Sequence, residues 1–157
     1  MLLTRSELLT RPEEIESLSK ILCQESVIAF DTEFIREATF FPILEIIQIA
    51  TEKQSWVVDV QAFRKREPTR GNGPLRGLDA LQRIFRNPEI LKVVHAAQGD
   101  QECLYSAFGL AATPTLDTAV AASLCGYGDS ISLANLLKRV LGVALMKGHA
   151  RTNWSAR

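Results

Sequence analysis

The most informative stretch of this sequence is the octapeptide VIAFDTEF at residues 27–34. Its first four residues are apolar and include two β-branched types, a composition that predicts a buried strand. The strand then carries two carboxylates, Asp31 and Glu33, toward its C-terminal end. Because side chains two residues apart point to the same side of an extended chain, both acids face one spot and Thr32 faces the other way.

Two carboxylates held at one place repel each other and raise each other's pKa unless a positive charge lies between them. A hard divalent cation, which prefers oxygen ligands, resolves this repulsion. The pair therefore indicates a metal site. The alternative is that Asp31 and Glu33 form the ordinary polar exit of a strand into a loop, and this tripeptide alone does not distinguish the two.

Length and charge limit the remaining interpretations. A chain of 157 residues suits one domain with a hydrophobic core and is short for two. Its 18 basic residues balance 18 acidic ones, so affinity for a polyanion must come from local clusters. One cluster is the segment 64–77, which is rich in glycine and proline and carries Arg64, Lys65 and Arg66. We interpret it as a solvated surface loop, a role that is compatible with phosphate binding.

The three cysteines, Cys23, Cys103 and Cys125, are far apart and lack Cys-x-x-Cys spacing. This pattern predicts reduced core residues of a cytosolic protein, with neither a disulfide framework nor a zinc site. The N-terminus is too polar for a signal peptide, and no apolar run approaches the length of a membrane span. We therefore expect a cytoplasmic protein that has no membrane partner.

Hydrophobic periodicity predicts alternating strands and helices along the chain. Strands are predicted at 43–50, 56–60 and 91–95, and residues 1–9 are compatible with an edge strand. Helices are predicted from a Thr10 cap to near Cys23, around 78–86, over 100–108, over 118–125 and over 133–141. Three strands in near succession, with a hairpin-type connection at 51–55, suggest an antiparallel meander within a mixed sheet flanked by helices.

Five short motifs, taken in order, resemble those of ribonuclease D-like 3′–5′ exonucleases, which belong to the DEDD superfamily. They are FDTEF at 30–34, IQIA at 47–50, HAA with Asp100 at 95–100, LDT at 116–118 and RTxW at 151–154. Each motif alone is weak, but five in order within matching strands and helices are specific. The resemblance runs from about residue 4 to residue 157 and implies an α/β fold, a ribonuclease H-like mixed β-sheet flanked by α-helices.

The resemblance also implies two divalent metal ions, Mg²⁺ or Mn²⁺, held by four acids. Asp31 and Glu33 match the first acidic motif and Asp100 matches the second. Asp100 is expected in the first turn of its helix, where backbone N–H groups and the helix dipole favour its ionised form. In such a site one ion activates a water and the other stabilises the leaving 3′-oxygen, so that nucleoside monophosphates are released from RNA 3′ ends, with DNA as an alternative substrate.

A set of polar and aromatic side chains is predicted to contact the nucleic acid: Thr32, Phe34, His95, Arg64, Lys65, Arg66, Arg151 and Trp154. Phe34, Phe40 and Phe41 carry rings that could stack on a terminal base, although packing or loop anchoring is the expected role of at least two of them. His95 is expected to pack at a strand end, because oxygen-rich metal sites rarely recruit histidine. Asp117 is expected to cap a helix or to have a structural role.

The last motif of the family, Tyr-x-x-x-Asp, is missing from this sequence. Its two tyrosines are followed four positions later by Gly109 and Ile131. The resemblance therefore implies a single domain over 1–157 that is C-terminally incomplete and lacks its last helix and its fourth metal ligand. A fragment of an active exonuclease, a natural short form without catalysis, and a site completed by a neighbouring subunit are the three explanations. The three retained acids favour the first.

Two function classes follow from these patterns. The first is a metal-dependent 3′–5′ exoribonuclease domain that serves RNA processing, such as tRNA 3′ maturation, or RNA decay. The second is a catalytically inactive nucleic-acid-binding or scaffolding module on the same fold. A small-molecule-binding α/β domain is disfavoured because no glycine-rich phosphate loop follows any strand. Self-association is expected through the apolar surface that the last helix would have covered.

Overall fold

The computed structural model describes residues 6–36, 40–64 and 75–145. Within these ranges the strands are β1 (Ser6–Leu9), β2 (Val27–Ile35), β3 (Ile43–Ala50), β4 (Ser55–Asp59), β5 (Leu91–Val94) and β6 (Thr115–Asp117). The helices are α1 (Pro12–Leu22), α2 (Val60–Arg64), α3 (Asp79–Arg86), α4 (Gln98–Phe108), α5 (Thr118–Leu124) and α6 (Leu133–Leu141). None of these helices is long and apolar enough to cross a membrane.

The six described strands form one mixed sheet in the order β1-β4-β3-β2-β5-β6. β2, β3 and β4 form the predicted antiparallel meander. β1 pairs with β4, β5 with β2, and β6 with β5, all in parallel. The prediction of a mixed sheet with an N-terminal edge strand is thereby confirmed. β2 lies between β3 and β5, so backbone pairing on both sides fixes the positions of its side chains.

The core position predicted for the cysteines is correct for Cys103 but wrong for Cys23 and Cys125, which are exposed. Three local predictions of secondary structure are also wrong. Residues 115–117 pair with β5 as the strand β6, where only a connection was expected. Residues 60–64 form a short helix instead of continuing a strand into a loop. The N-cap of α1 is Arg11 and not Thr10. The carboxylate of Glu14 explains this shift, because it accepts hydrogen bonds from the backbone N–H groups of Thr10 at 2.8 Å and Arg11 at 3.0 Å.

One face of the sheet carries the hydrophobic core. On β2, Ile28 and Phe30 point into it and are 1% and 4% exposed. The Phe30 ring meets the ring of Phe85 from α3 edge to face, with 5.1 Å between ring centroids. Side chains of α1, α2, α3 and α4 also belong to the cluster. Removing an aromatic side chain from such a core costs about 3–5 kcal/mol, so this packing holds the central strand firmly in place.

The opposite face of the central strands is open in the described structure. Ala29 and Asp31 are exposed there, and Val27 retains 47% of its accessible surface. The strand predicted to be buried is therefore buried on one side only. A groove of about 420 Å³ runs over this open face, and Gln48 and Ala50 of β3 contribute to it together with Asp31.

Candidate active site

β2 presents Asp31 and Glu33 within its paired region. The alternative interpretation placed both acids at the exit of the strand into a loop. It is wrong, because the strand continues to Ile35. In the antiparallel register Asp31 lies opposite Gln48 and Glu33 opposite Ile46. Their spacing of two directs both acids toward the same face of the sheet. The register shifts directly after Glu33, an irregularity of the kind often found beside active sites.

The environment of Asp31 raises its pKa to about 6. Desolvation of the carboxylate in the groove is the main cause, and the negative charges of Asp100 and Glu33 add to it. Asp31 nevertheless keeps access to solvent, so a ligand can reach it. Three carboxylates thus act on one another at this place, and a bound cation would relieve their repulsion.

Asp100 reaches the site from α4, where it lies in the first turn, as predicted. The residue is only 6% exposed. Its Oδ1 atom accepts hydrogen bonds from the Thr32 backbone N–H at 2.8 Å and from the Thr32 hydroxyl at 2.6 Å. Burial raises the pKa of Asp100, and the two hydrogen bonds from Thr32 counteract part of that rise. Thr32 thereby ties the strand of the first two acids to the helix of the third.

The loop that leads into α4 is held by Asp117. One of its carboxylate oxygens accepts from the N–H groups of Ala96 at 2.9 Å and Ala119 at 2.8 Å, and the other accepts from Ala97 at 2.8 Å. The bond from Ala119 confirms the predicted capping role, at the start of α5. Ala96 has φ 59°, a left-handed conformation uncommon outside glycine, and the Asp117 contacts hold it. Partial burial acts to raise the pKa of Asp117, but the backbone donors lower it overall.

Phe34 packs beside the helix that carries Asp100. A Cβ atom added at Gly99 would lie 3.3 Å from the Phe34 ring, so glycine at this position lets the ring approach α4 closely. The Arg36 guanidinium lies 5.7 Å from the centroid of the same ring. Phe34 is half-buried next to the acids, and its stacking on a terminal base stays a prediction.

Two of the predicted nucleic-acid contacts, Thr32 and Arg64, use their polar groups inside the fold. Thr32 is 6% exposed and is bound to Asp100. Arg64 Nη1 lies 3.1 Å from the carboxylate of buried Glu45, and Arg64 Nη2 donates to the Leu44 carbonyl at 2.6 Å. In this structure both side chains stabilise the sheet and its neighbouring helices, so a contact with nucleic acid stays a prediction for each.

His95 is also engaged within the chain, at the end of β5 as expected. Its Nδ1 atom lies 2.9 Å from the Thr118 hydroxyl, and its Nε2 atom lies 2.8 Å from the Ile131 carbonyl. The ring thus ties the end of β5 to the segment before α6. The remaining predicted contacts lie outside the described residues: Lys65, Arg66, Arg151 and Trp154.

The three acids fit a hard divalent cation by their chemistry. They offer only oxygen donors, the ligands that such cations prefer, and the charges of Asp100 and Glu33 add to the rise that burial causes in the pKa of Asp31. In the arrangement shown, one oxygen of Asp100 is occupied by Thr32. Among the residues that the structure describes, no three acidic, histidine or cysteine side chains stand close enough to hold one ion. Closing the site on a cation therefore requires side-chain adjustment.

Comparison with known proteins identifies the class of fold. Over 98% of this chain, the structure matches that of Escherichia coli RNase D, an exoribonuclease involved in structured RNA processing, with a TM-score of 0.85 and 30% identity. It also matches the catalytic core of RRP6 from Trypanosoma brucei, with a TM-score of 0.80 and 27% identity over 98% of this chain. These matches cover 38% and 39% of those chains. The mixed sheet and its flanking helices thus form a ribonuclease H-like exonuclease fold.

The family follows from the sequence. The model of the 3′-5′ exonuclease family matches residues 7–157, so the chain belongs to that family. Ribonuclease D of Nitrobacter hamburgensis is 37% identical over 154 residues, a match that covers 96% of this chain. The chain spans 37% of the length of that relative. Divalent metal ions are general cofactors of this superfamily, and its ribonuclease members act on nucleic acid.

Proposed function

We propose that this chain is a 3′–5′ exoribonuclease domain that removes nucleoside monophosphates from RNA 3′ ends. One observation carries the proposal: β2 and α4 carry Asp31, Glu33 and Asp100 to positions where the charges of Asp100 and Glu33 act on Asp31, adding to the rise that burial causes in its pKa. Relatives that align over nearly the whole chain are ribonucleases, which supports RNA as the substrate. DNA is the alternative substrate that the test must include.

Asp31, Glu33 and Asp100 are the residues that would hold the divalent metal ions, for which we propose Mg²⁺ or Mn²⁺. When bound, such ions neutralise phosphate charge and favour the ionised form of an attacking water. Thr32 keeps Asp100 directed at the site through two hydrogen bonds. Asp117 fixes the loop at the start of α4 and so acts as a positioning residue.

The reaction is hydrolysis of the terminal phosphodiester. A water oxygen forms a bond to phosphorus, and the bond from phosphorus to the 3′-oxygen of the preceding nucleotide breaks. The proton lost by the water is balanced by the proton that the leaving oxygen gains. The products are a nucleoside 5′-monophosphate and an RNA that is shorter by one residue and again ends in a 3′-hydroxyl, so the reaction can repeat.

Three further properties belong to the same proposal. Residues 1–157 act as one exonuclease-like domain. The domain works in the cytoplasm, a location supported by its three free cysteines. It self-associates through apolar side chains that α5 and α6 leave exposed, among them Leu124 at 85% and Leu141 at 64% exposure.

A second candidate function is a nucleic-acid-binding or scaffolding module without catalysis. The observation that favours it is the open arrangement of the acids: within the described residues, no three potential ligands surround one position. Binding without hydrolysis would then be the whole activity. The two candidates make opposite predictions for the same cleavage assay.

The test is degradation of a single-stranded RNA labelled at its 5′ end, with Mg²⁺ or Mn²⁺ present, and of DNA of the same sequence. The unaltered chain is compared with Asp31→Asn, Asp100→Asn and the control Asp79→Asn, whose carboxylate lies at the start of α3. We expect stepwise shortening from the 3′ end, slowed on the order of 100-fold by either site substitution and unchanged in the control. Chelation of the metal should stop the reaction.

The outcomes separate the two candidates. RNA binding without shortening, in both metals, contradicts the exonuclease proposal and supports the binding module. Shortening that persists in Asp31→Asn contradicts the assignment of the acids. Faster shortening of DNA than of RNA contradicts the proposed substrate.

A further inference from the structure

An aromatic groove lies next to the candidate active site and is not used by the contacts described above. We call it the α4 groove. It has a volume of about 740 Å³, and its walls are Arg36, residues 40–42 and the outer side of α4. Phe40, Phe41 and Tyr105 are its large side chains, and they are 92%, 59% and 69% exposed. Three exposed rings at one place are typical of a binding surface and are not expected of side chains that pack in a core.

Phe40 does not have the packing role that was expected for at least two of the three phenylalanines, because it is 92% exposed. Its ring meets only the ring of Phe41 among the described aromatic side chains, edge to face at 4.9 Å between centroids. The segment itself is nevertheless fixed to α4, because the Ser106 hydroxyl donates to the Pro42 carbonyl at 3.2 Å. The rings are therefore held on an anchored segment while their faces remain open to solvent.

The groove is linked to the acids through Phe34. Its rim at Arg36 follows Glu33 by three residues along the chain. Arg36 and Glu102 form an exposed ion pair across this rim. The Phe34 ring, which packs against Gly99 beside Asp100, lies under Arg36. Phe34 and Arg36 thus connect the surroundings of Asp100 to the rim of the groove.

The chemistry of the lining selects the occupant. Within the described residues that line the groove, the apolar groups are rings of phenylalanine, tyrosine and proline, and no leucine, isoleucine, valine or methionine is among them. Aromatic faces bind nucleic-acid bases by stacking, whatever the base. The Arg36 guanidinium at the rim is paired with Glu102, so it binds a phosphate in exchange for that carboxylate.

We propose that the α4 groove binds unpaired bases of the RNA strand upstream of the scissile phosphodiester, by stacking on Phe40, Phe41 and Tyr105. This inference rests on the proposed function, since it assumes that the 3′ end lies at the acids. It adds a substrate requirement: the enzyme prefers ends with several unpaired nucleotides. It also assigns a role to residues outside the acidic motifs.

The test measures binding without hydrolysis. Fluorescence anisotropy with a chelator present compares two 5′-labelled probes, an eight-nucleotide oligo(A) and the same oligomer with abasic sugars upstream of its two 3′-terminal nucleotides. The proteins are the unaltered chain, Phe41→Leu, Phe41→Tyr, Phe40→Ala and the control Leu8→Ala, which removes an exposed apolar side chain on β1. Leucine keeps the apolar volume and removes the stacking face, whereas tyrosine keeps that face.

We expect Phe41→Leu and Phe40→Ala to weaken oligo(A) binding by about tenfold each, with abasic binding unchanged. Phe41→Tyr and Leu8→Ala should bind oligo(A) like the unaltered chain.

The proposal is overturned if Phe41→Leu keeps full affinity, if both probes lose affinity equally, or if the unaltered chain does not bind oligo(A). Full affinity in Phe41→Leu is also the result expected of a protein-docking groove. This test measures RNA binding and does not depend on hydrolysis. Absence of RNA shortening in the cleavage assay would therefore contradict the proposed hydrolysis and would leave the groove proposal to be decided by binding.

Discussion

Asp100 depends on one neighbour, Thr32. It is nearly buried, and burial favours its protonated form, whereas a metal ligand must be ionised. The two hydrogen bonds that Thr32 donates to Oδ1 stabilise the ionised form. One of them comes from the backbone N–H, which every residue except proline would keep. The other comes from the hydroxyl and can be removed separately.

Thr32→Val should therefore weaken Mn²⁺ binding about tenfold, the lower end of the range for groups that orient a metal ligand. Loss of a hydrogen bond to a charged group should also lower the free energy of unfolding by about 1.5–3 kcal/mol. Thr32→Ser keeps the hydroxyl and is the matched control. Calorimetric titration with Mn²⁺ and urea unfolding measure the two effects. Equal Mn²⁺ affinity in the valine and serine variants would show that the hydroxyl has no such role.

Lys92 is a buried cation that the sequence patterns did not single out. It has no exposed surface, and its Nζ atom donates to the carbonyls of Asn87 at 2.5 Å and Thr113 at 2.7 Å. Burial lowers the pKa of Lys92 to about 8. The unfolded chain holds this proton more tightly than the folded one, so the free energy of unfolding rises with pH. The gain is complete above the unfolded pKa and is lost as pH falls through the folded value.

Between pH 7 and pH 10 this single group should raise the free energy of unfolding by roughly 2 kcal/mol. Lys92→Met lacks the titrating group and should lack that rise, while other groups titrate in both proteins. Urea unfolding at the two pH values measures the difference. Parallel pH profiles for the two proteins would refute the buried charge as its cause.

At the scale of elements, Asp117 joins three of them. It ends β6, caps α5 and holds the loop between β5 and α4. A helix cap is usually a local device, with a side chain that serves its own helix. Here the same carboxylate also accepts hydrogen bonds from the N–H groups of Ala96 and Ala97, in the loop before α4. Ala96 adopts a left-handed conformation there. The orientation of α4, and with it Asp100, depends on this junction.

Asp117→Ala should lower the free energy of unfolding by roughly 3 kcal/mol, because three hydrogen bonds to a charged group are lost together. Ser132→Ala is the matched control, since Ser132 caps α6 with a single bond to Asn135 at 3.3 Å. It should cost about 1 kcal/mol or less. Chemical denaturation compares the two variants. Similar losses in both would mean that the contacts to the α4 entry contribute little.

At the scale of the whole molecule, apolar surface is distributed unevenly. The core side of the sheet is packed by α1, α3 and α4, whereas α6 has no buried residue within the described structure. Val120, Leu124 and Leu141 are 57%, 85% and 64% exposed. Exposed apolar side chains of this kind favour association in water.

Replacing Leu124 and Leu141 together by glutamate should shift the 157-residue chain toward monomer, because charges on this surface oppose its burial. Sedimentation velocity over a range of protein concentrations measures the change. Replacing Leu8, an exposed leucine on β1, by glutamate is the control and should leave association unchanged. An unaltered chain that sediments as a monomer at all concentrations would contradict the proposed self-association.

The features that were correctly predicted are those in which local chain geometry carries the information. The two-residue period of a strand fixes the common side of Asp31 and Glu33, and the apolar runs locate the strands of the sheet. The two ends of α4 were likewise predicted from local signals. Asp100 lies in its first turn, and Gly109 ends the helix. Each of these signals spans only a few neighbouring residues.

The features that were missed depend on partners far along the chain. Thr32 meets Asp100 across 68 residues, His95 meets Ile131 across 36, and Arg64 meets Glu45 across 19. The three-residue strand β6 exists because β5 pairs with it, and its own pattern is too short to show a period. A side chain's direction follows from its local backbone, but its partner follows from packing of the whole chain. The positions of Asp31, Glu33 and Asp100 within their strand and helix could therefore be predicted from the sequence. The contacts that orient these acids are formed only when β2, α4 and β6 pack together.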